Sequence, residues 1–212
     1  MSLGRDAAWK RALVEALPGI PSPVCVDLAC GTGDVAFLLA GRYPGAVVTG
    51  VDLSAPMLAI ARERNRSTNV RFERGDLCDL PFPDGSADVV TGSYALRNAP
   101  DLRTAIAEVH RVLSPGGVAA FLDFSNPENP HLRFLQFHLL RTWCGLWGLL
   151  LHGTPKVHGY VAESLRGFPG RNRMREIFRE QGFGVSTERR FFLGITGLLV
   201  LRKEVSSTAP GV

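Results

Sequence analysis

A glycine-rich turn between a short apolar run and a helical pattern is the feature that most restricts the fold of this chain. The apolar run VCVDLA occupies residues 24–29, the turn CGTGD follows it, and apolar residues recur at helical spacing from Val35 onward. This order predicts a strand, a loop and a helix. Such a turn brings backbone amides close to a ligand, and the helix start favours negative charge. We therefore expect a cofactor beside Gly31 and Gly33.

The same unit recurs along the first 124 residues. A second apolar run covers residues 46–53, and Ser54 stands where the next helix needs a cap. Strands are predicted at residues 70–72 and Ala87–Ser93, followed by a helix over residues 101–113. The segment LSPGG then turns the chain into the strand VAAFLDF. Alternating strands and helices predict an α/β, Rossmann-like fold with a mainly parallel sheet covered on both faces.

The rest of the chain does not continue this alternation of strands and helices. Residues 132–151 are rich in Leu, Phe and Trp and predict an apolar helix or helix pair, but polar residues such as Gln136 and Arg141 break the continuity that a membrane span requires. A helix is predicted over residues 171–181, with Met174, Ile177 and Phe178 buried. Gly182 is expected to end it.

Two last apolar runs predict an antiparallel strand pair that completes a sheet of seven strands. We expect one domain over residues 1–212. It divides into a cofactor-binding core (1–124), a helical substrate or lid insertion (125–182), the strand pair (183–204) and a tail (205–212).

The charge distribution and the cysteine content restrict the partners and the cellular location that we expect. The formal net charge is +4, and the basic residues are concentrated late: residues 125–212 contain 12 Lys and Arg against 6 Asp and Glu. A basic surface suits nucleic acid or an anionic membrane. The four cysteines have neither metal-ligand spacing nor the density of a disulfide scaffold, and no secretory signal is visible. We expect a cytoplasmic protein without a metal.

The glycine-rich motif alone leaves the cofactor open. The string GTGDVA also satisfies the dinucleotide pattern G-x-G-x-x-A, and Asp52 at the end of the second strand could hold ribose hydroxyls of either kind of cofactor. An NAD(P)-binding oxidoreductase or a non-catalytic nucleotide-binding module is therefore one hypothesis. No hydride-transfer constellation supports it.

Three further features favour another cofactor. The string DLACGTGD, which starts at Asp27, resembles the first motif of class I S-adenosylmethionine-dependent methyltransferases. In that family the loop holds the carboxypropyl end of the cofactor. Asp76 and Leu77 occupy the place where such enzymes bind adenine, and LSPGGVAAF resembles the turn before their fifth strand. The order of these features favours a methyltransferase.

A closer resemblance covers nearly the entire chain. The strings MSLGRDAAWKR, VDLSAPML, LPFPDGSADVVTGSYALRNAPD, FLDFSNP, GYVAESLRGFP and TGLLVLRK are similar to the ubiquinone and menaquinone biosynthesis C-methyltransferases. The resemblance implies methyl transfer from S-adenosylmethionine to the ring of a polyprenylated quinol, with demethylmenaquinol preferred over a benzoquinol. Family members usually have further chain before the part that matches MSLG, including a segment that helps to cover the cofactor. The implied cofactor-binding residues are Asp27, Gly31, Thr32, Gly33, Asp52, Leu53, Met57, Asp76, Leu77 and Ser93.

Arg97 and Asn98, just beyond the fourth strand, are the candidate catalytic residues. A quinol ring carbon becomes nucleophilic when a ring hydroxyl loses its proton, so a positive group near that oxygen assists the reaction. Arg97 would stabilise the phenolate, directly or through a water molecule, and Asn98 would orient it. In the alternative interpretation both residues only cap the loop before Pro100. Tyr160 and Ser164 are candidates for the substrate entrance, although an amphipathic helix face explains them nearly as well.

Other partners and substrates follow from the same residues. A different hydrophobic small molecule or lipid is the second hypothesis for the methyl acceptor. The apolar stretch with Trp143 and Trp147 suits a prenyl tail or peripheral contact with a membrane, but most of it is also explained as core. No nucleic-acid partner is expected, because the basic residues are not interleaved with aromatic ones. Homo-oligomer formation is left open.

Overall fold

The computed structural model describes residues 5–129, 131–134, 137–138, 142, 165, 167–191 and 194–205. The strands within these ranges are β1 (Val24–Leu28), β2 (Val47–Asp52), β3 (Val70–Arg74), β4 (Ala87–Ser93), β5 (Leu113–Phe124), β6 (Phe183–Phe191) and β7 (Thr196–Lys203). The helices are α1 (Asp6–Glu15), α2 (Asp34–Arg42), α3 (Ala55–Arg64), α4 (Leu102–Val112) and α5 (Arg171–Glu180), with a 3₁₀ turn at Leu96–Asn98.

The strands form one sheet of seven in the order β3-β2-β1-β4-β5-β7-β6. Strands β1 to β5 pair in parallel, whereas β7 is antiparallel to both β5 and β6. The predicted fold class is thereby confirmed, including its closing antiparallel pair. Because β2 and β4 flank β1 on opposite sides, the strand order reverses there, and ligands of such sheets bind outside the carboxyl ends at this point.

Helices cover both faces of the sheet. Leu13 of α1, Leu39 of α2 and Leu58 of α3 belong to one buried cluster, and Ile106 of α4 and Phe178 of α5 belong to the other. All five side chains are at most 1% exposed. Each fully buried side chain of this size contributes about 1.5–3 kcal/mol of hydrophobic stabilisation.

One predicted element differs in detail from the structure. The segment LSPGG was expected to be a turn, but it lies inside β5, where Leu113 pairs with Ala87 and the register shifts before Val89. Gly116 takes a positive φ of 76°, which lets the strand continue through the irregularity. The proline and glycine pair therefore marks a bulge rather than a strand end.

Helix α1 was not predicted from the sequence. Its buried residues Trp9 and Leu13 are followed by the buried Leu17 at the same interval of four, which is the helical signal that was missed. The predicted helix over 132–151 falls largely outside the described residues, of which 131–134, 137–138 and 142 are helical. No helix within the described part is long and apolar enough to cross a membrane.

Candidate functional site

The loop that leaves β1 forms the centre of the candidate site. Gly31 and Gly33 have φ values of 54° and 88°, in the left-handed region that only glycine adopts without strain. A Cβ atom at Gly33 would lie 2.8 Å from the ring of Phe72, whereas one at Gly31 would meet nothing within 4 Å. Gly33 is therefore required for packing, and Gly31 borders open space in which a ligand can approach the backbone.

The Asp52 carboxylate holds this loop against the end of β2. Its Oδ2 accepts a hydrogen bond from the Gly31 amide at 2.8 Å, and its Oδ1 accepts one from the Ser54 amide at 2.8 Å. A carboxylate offers about four acceptor positions, so two remain after these bonds. Asp52 can therefore fix the loop and still accept hydrogen bonds from ligand hydroxyls.

The segments that follow β2 and β3 contribute one carboxylate and three apolar side chains. The Oδ1 of Asp76 accepts a hydrogen bond from the Cys78 amide at 2.9 Å, which orients the carboxylate just beyond β3. Leu53 and Met57 are 60% and 45% exposed, which is high for large apolar side chains. Together with the half-buried Leu77, they provide apolar surface near the end of β2 for a flat ligand group.

Asp27 is a predicted cofactor residue whose carboxylate is fully buried and bonded within the protein. It is 1% exposed, and its carboxylate accepts hydrogen bonds from the Thr91 hydroxyl at 2.8 Å and from the amide of Ala36. Burial raises the pKa of Asp27 to about 7, against the lowering effect of these bonds. Asp27 thus joins β1 to β4 and to α2, and its predicted contact with the cofactor stays a prediction.

The end of β4 leads into the turn that contains the candidate catalytic residues. Ser93 Oγ is buried and has no hydrogen-bond partner within the described part of the chain. The next residue, Tyr94, has a φ of 59°, which is a strained conformation for a bulky side chain. The side-chain amide of Asn98 donates to the Tyr94 carbonyl at 2.9 Å, so Asn98 has the local capping contact of the alternative interpretation. This contact leaves its predicted role toward a substrate untested.

Arg97 is held by charge and by aromatic rings. Its guanidinium carbon lies 5.6 Å from the ring centre of Tyr94 and 5.1 Å from that of Phe124, within the range of cation–π attraction. Its Nε lies 3.5 Å from Asp123 Oδ1, and its amide donates to Asp123 Oδ2 at 3.2 Å. The Arg97 side chain is only 11% exposed. A buried guanidinium with this many contacts is a positive charge of fixed position.

Asp123, at the end of β5, is the main counter-charge of Arg97. Burial raises the pKa of Asp123 to about 6, although Arg97 and neighbouring backbone amides act in the opposite direction. Because Asp123 ends a strand on the ligand edge of the sheet, the sequence predicts that it shapes the site without reacting. Tyr94 was not selected from the sequence, because a positive φ cannot be read from it.

An open pocket of about 410 Å³ adjoins Arg97. Phe168 and Pro169, which belong to the string GYVAESLRGFP, form the opposite part of its lining. The side-chain amide of Asn126 fixes this segment by donating to the carbonyls of Leu165 at 2.8 Å and Phe168 at 2.7 Å. The predicted entrance residues Tyr160 and Ser164 lie outside the described residues, as do Trp143 and Trp147.

Residues 1–201 match the ubiE/COQ5 methyltransferase family. The demethylmenaquinone methyltransferase of Thermus thermophilus is 38% identical over 191 residues, which cover 89% of this chain and 86% of that relative. The 2-phytyl-1,4-naphtoquinone methyltransferase of Nostoc punctiforme is 36% identical over 209 residues, covering 96% and 90% respectively.

Solved structures support the fold but not a particular chemistry. An S-adenosylmethionine-dependent methyltransferase from Mesorhizobium loti superposes with a TM-score of 0.67 at 24% identity, covering 92% of this chain and 97% of the other. The cyclase SpnF superposes with a TM-score of 0.72 at 19% identity, covering 94% and 81%. Since a cyclase shares the fold, the assignment depends on the sequence relationship.

The sequence relationship extends through both the glycine-rich loop and the Arg97 turn, and it covers most of this chain and of its relatives. It confirms the predicted family resemblance. It also confirms the prediction that the protein is a methyltransferase that uses S-adenosylmethionine. The chain belongs to the ubiE/COQ5 methyltransferase family.

Proposed function

We propose that this enzyme methylates a ring carbon of a lipid-tailed naphthoquinol, with demethylmenaquinol as the preferred substrate. The observation that carries this proposal is the pocket shared by Arg97 and the Phe168-Pro169 segment. It brings the positive charge of Arg97 together with the apolar side chains of Leu96, Phe168 and Ile177, while Asp101 and Arg103 make the rest of the lining polar. A charged group beside apolar side chains suits an aromatic ring whose hydroxyl ionises. The relatives named for demethylmenaquinone and phytyl-naphthoquinone methylation favour a naphthoquinol over a benzoquinol.

The residues of the glycine-rich edge fit S-adenosylmethionine. The amide-rich start of α2 suits the carboxylate of the carboxypropyl end, and Asp52 has acceptor positions for ribose hydroxyls. Asp76 would accept from the adenine amine beside Leu77. The open space at Gly31 and the buried Ser93 Oγ, which has no hydrogen-bond partner among the described residues, are consistent with a ligand that lies across β1 and β4. When bound, the cofactor supplies a methyl group on a positively charged sulfur.

The chain's own contribution to the chemistry is placement and charge. Arg97 stabilises the phenolate that forms when the quinol hydroxyl loses its proton, which places electron density on the ring carbon. With the cofactor bound, that carbon would accept the methyl group in exchange for the methyl–sulfur bond, and the ring would then release the proton of the substituted carbon. The rings of Tyr94 and Phe124 limit the access of water to the guanidinium, which strengthens its field.

Methyl transfer to defined quinols tests this function. The purified chain is incubated with S-adenosylmethionine labelled in the methyl group and with a reduced demethylmenaquinol or a matching demethylated benzoquinol. We expect label in the naphthoquinol, and Arg97→Met should lower kcat by about a hundredfold, as loss of one donor to a developing oxyanion does. The exposed Arg173 of α5 provides the control variant Arg173→Met. Preference for the benzoquinol would overturn the proposed ring, and full activity of Arg97→Met would overturn the proposed role.

We further propose that the enzyme works at the cytoplasmic face of a membrane, with residues 125–182 supplying the substrate side. Leu132 and Phe134 are 55% and 67% exposed, and the chain from residue 125 onward is basic. Apolar side chains beside positive charge favour an anionic lipid surface. The protein should float with phosphatidylglycerol vesicles and not with phosphatidylcholine vesicles. Failure to float with the anionic vesicles would contradict this localisation.

A further inference from the structure

A continuous chain of polar contacts extends over the cofactor loop from α3 to the end of β4. Four structural elements contribute to it, and α1 lies in its middle. We call it the α1 ionic chain, and its members in order of contact are Arg64, Asp34, Lys10, Asp6 and Tyr94. None of these residues was selected from the sequence as part of the site.

One end of the α1 ionic chain contacts the cofactor loop directly. Arg64 donates from Nη1 to the Thr32 carbonyl at 2.8 Å and from Nη2 to Asp34 Oδ1 at 2.8 Å. Asp34 is the first residue of α2 and directly follows Gly33. The position of the loop backbone therefore depends on where these two side chains lie.

Lys10 is the link between α1 and that loop. Its Nζ lies 3.0 Å from Asp34 Oδ2 and 2.7 Å from Asp6 Oδ2, and the side chain is only 17% exposed. Burial acts to lower the pKa of Lys10, but the hydrogen bonds to both carboxylates outweigh it and raise the pKa overall. Lys10 therefore stays charged and joins two carboxylates that belong to different helices.

The other end of the α1 ionic chain holds the strained residue of the site. The Tyr94 hydroxyl donates to Asp6 Oδ1 at 2.9 Å, and its amide donates to the Leu122 carbonyl at 2.6 Å. A positive φ at a bulky residue persists only where surrounding contacts enforce it. Since Tyr94 begins the turn that leads to Arg97 and contacts its guanidinium, the Asp6 contact helps to define where Arg97 lies.

We propose that the α1 ionic chain couples cofactor binding at the glycine-rich loop to the conformation of the turn that carries Arg97, with Lys10 and Asp6 as positioning residues. A ligand that orders the Thr32 loop also orders Asp34, and the effect reaches Tyr94 through the two α1 side chains. Coupling between two sites is reciprocal. Removing the Tyr94 hydroxyl must therefore weaken binding of S-adenosylmethionine, although that hydroxyl is bonded to α1.

A double-mutant cycle on cofactor affinity tests the coupling. Calorimetric titration with S-adenosylmethionine compares the wild type with Tyr94→Phe, Lys10→Met and the double variant. Partly exposed ion pairs are individually weak, so we expect Kd to rise by about three- to tenfold for each single variant. The double variant should be no weaker than Lys10→Met alone, because the path from Tyr94 is already interrupted.

Two control variants separate this coupling from general effects of charge and packing. Lys10→Arg retains both carboxylate contacts and should restore affinity, whereas Arg11→Met removes an exposed positive charge from the same helix and should leave Kd unchanged. Independent effects in the double variant would mean that Tyr94 acts on the cofactor directly, and that result overturns the proposal. An unchanged Kd in Tyr94→Phe also overturns it.

Amide hydrogen exchange gives a second measurement that needs no quinol and no turnover. The Asn98 amide is bonded to the Ala95 carbonyl at 3.0 Å and reports on the turn. Exchange in this turn should accelerate in Lys10→Met and slow on addition of S-adenosylmethionine to the wild type. If exchange there is insensitive to Lys10, the coupling is absent whichever substrate the enzyme methylates. Because neither readout uses the acceptor, a wrong assignment of the quinol would not affect this test.

Discussion

Replacing Asp27 with Asn should change how the stability of the protein depends on pH. The ionised carboxylate is disfavoured by burial, so the folded state holds the proton to about pH 7, whereas the ordinary pKa is 3.8. The folded state therefore binds more protons than the unfolded state between these values. The contribution of Asp27 to the free energy of unfolding is therefore fully present below about pH 4, and it is lost as the pH rises toward 7.

The magnitude follows from the two pKa values. A pKa shift of this size lowers the free energy of unfolding by about 4 kcal/mol in total as the pH rises. About 2.5 kcal/mol of this loss occurs between about pH 5 and about pH 8. Asparagine does not titrate, so Asp27→Asn lacks this loss. Its carbonyl can accept from the Ala36 amide, and its amide can donate to the Thr91 hydroxyl after that hydroxyl rotates.

Urea unfolding of the wild type and of Asp27→Asn, each at about pH 5 and at about pH 8, measures this change in stability. The difference in unfolding free energy between Asp27→Asn and wild type should move by about 2.5 kcal/mol in favour of the variant from the lower to the higher pH. Asp123, whose pKa is also raised by burial, contributes equally to both proteins and cancels. A difference that stays constant with pH would refute the idea that Asp27 is neutral in the folded protein, whatever the fixed effect of the substitution.

Two further substitutions probe the glycine-rich edge. Asp52→Ala removes the acceptor of the Gly31 amide and of ribose hydroxyls, so calorimetry should show a rise in Kd for S-adenosylmethionine of at least about tenfold, and unchanged affinity would contradict the site. Gly33→Ala places a Cβ atom 2.8 Å from Phe72 in a left-handed conformation, so its melting temperature should fall by several degrees. Gly19→Ala, where a Cβ meets nothing within 4 Å, is the matched control and should melt close to the wild type.

Local patterns were sufficient where the physical cause is local. The apolar periodicity of α4 and α5 reports which side of each helix is buried, and Ile106, Val109 and Phe178 are indeed buried. A strand followed by glycines and a helix start is likewise a property of adjacent residues. Gly31, Gly33 and Asp52 could therefore be selected in advance, and the structure brings them together at one edge of the sheet.

Local sequence patterns gave wrong or incomplete predictions where the same residues are compatible with more than one structure. The LSPGG segment contains the residues of a turn, and the same residues permit a bulge inside β5. The burial of Asp27 beneath the loop was also not visible in the sequence, because it follows from the pairing of β1 with β4. Its contact with the cofactor stays a prediction.

The sequence by itself determined the order of strands and helices from β1 onward, the glycine-rich loop and the family, because each is specified by neighbouring residues or by similarity along the chain. Only the tertiary structure decided that Asp6, Lys10 and Tyr94 meet, since Tyr94 lies 88 residues from Asp6 and joins it through packing of α1 near the carboxyl edge of the sheet. Such contacts depend on the relative positions of distant elements. Neither the residue types nor their local spacing carries that information.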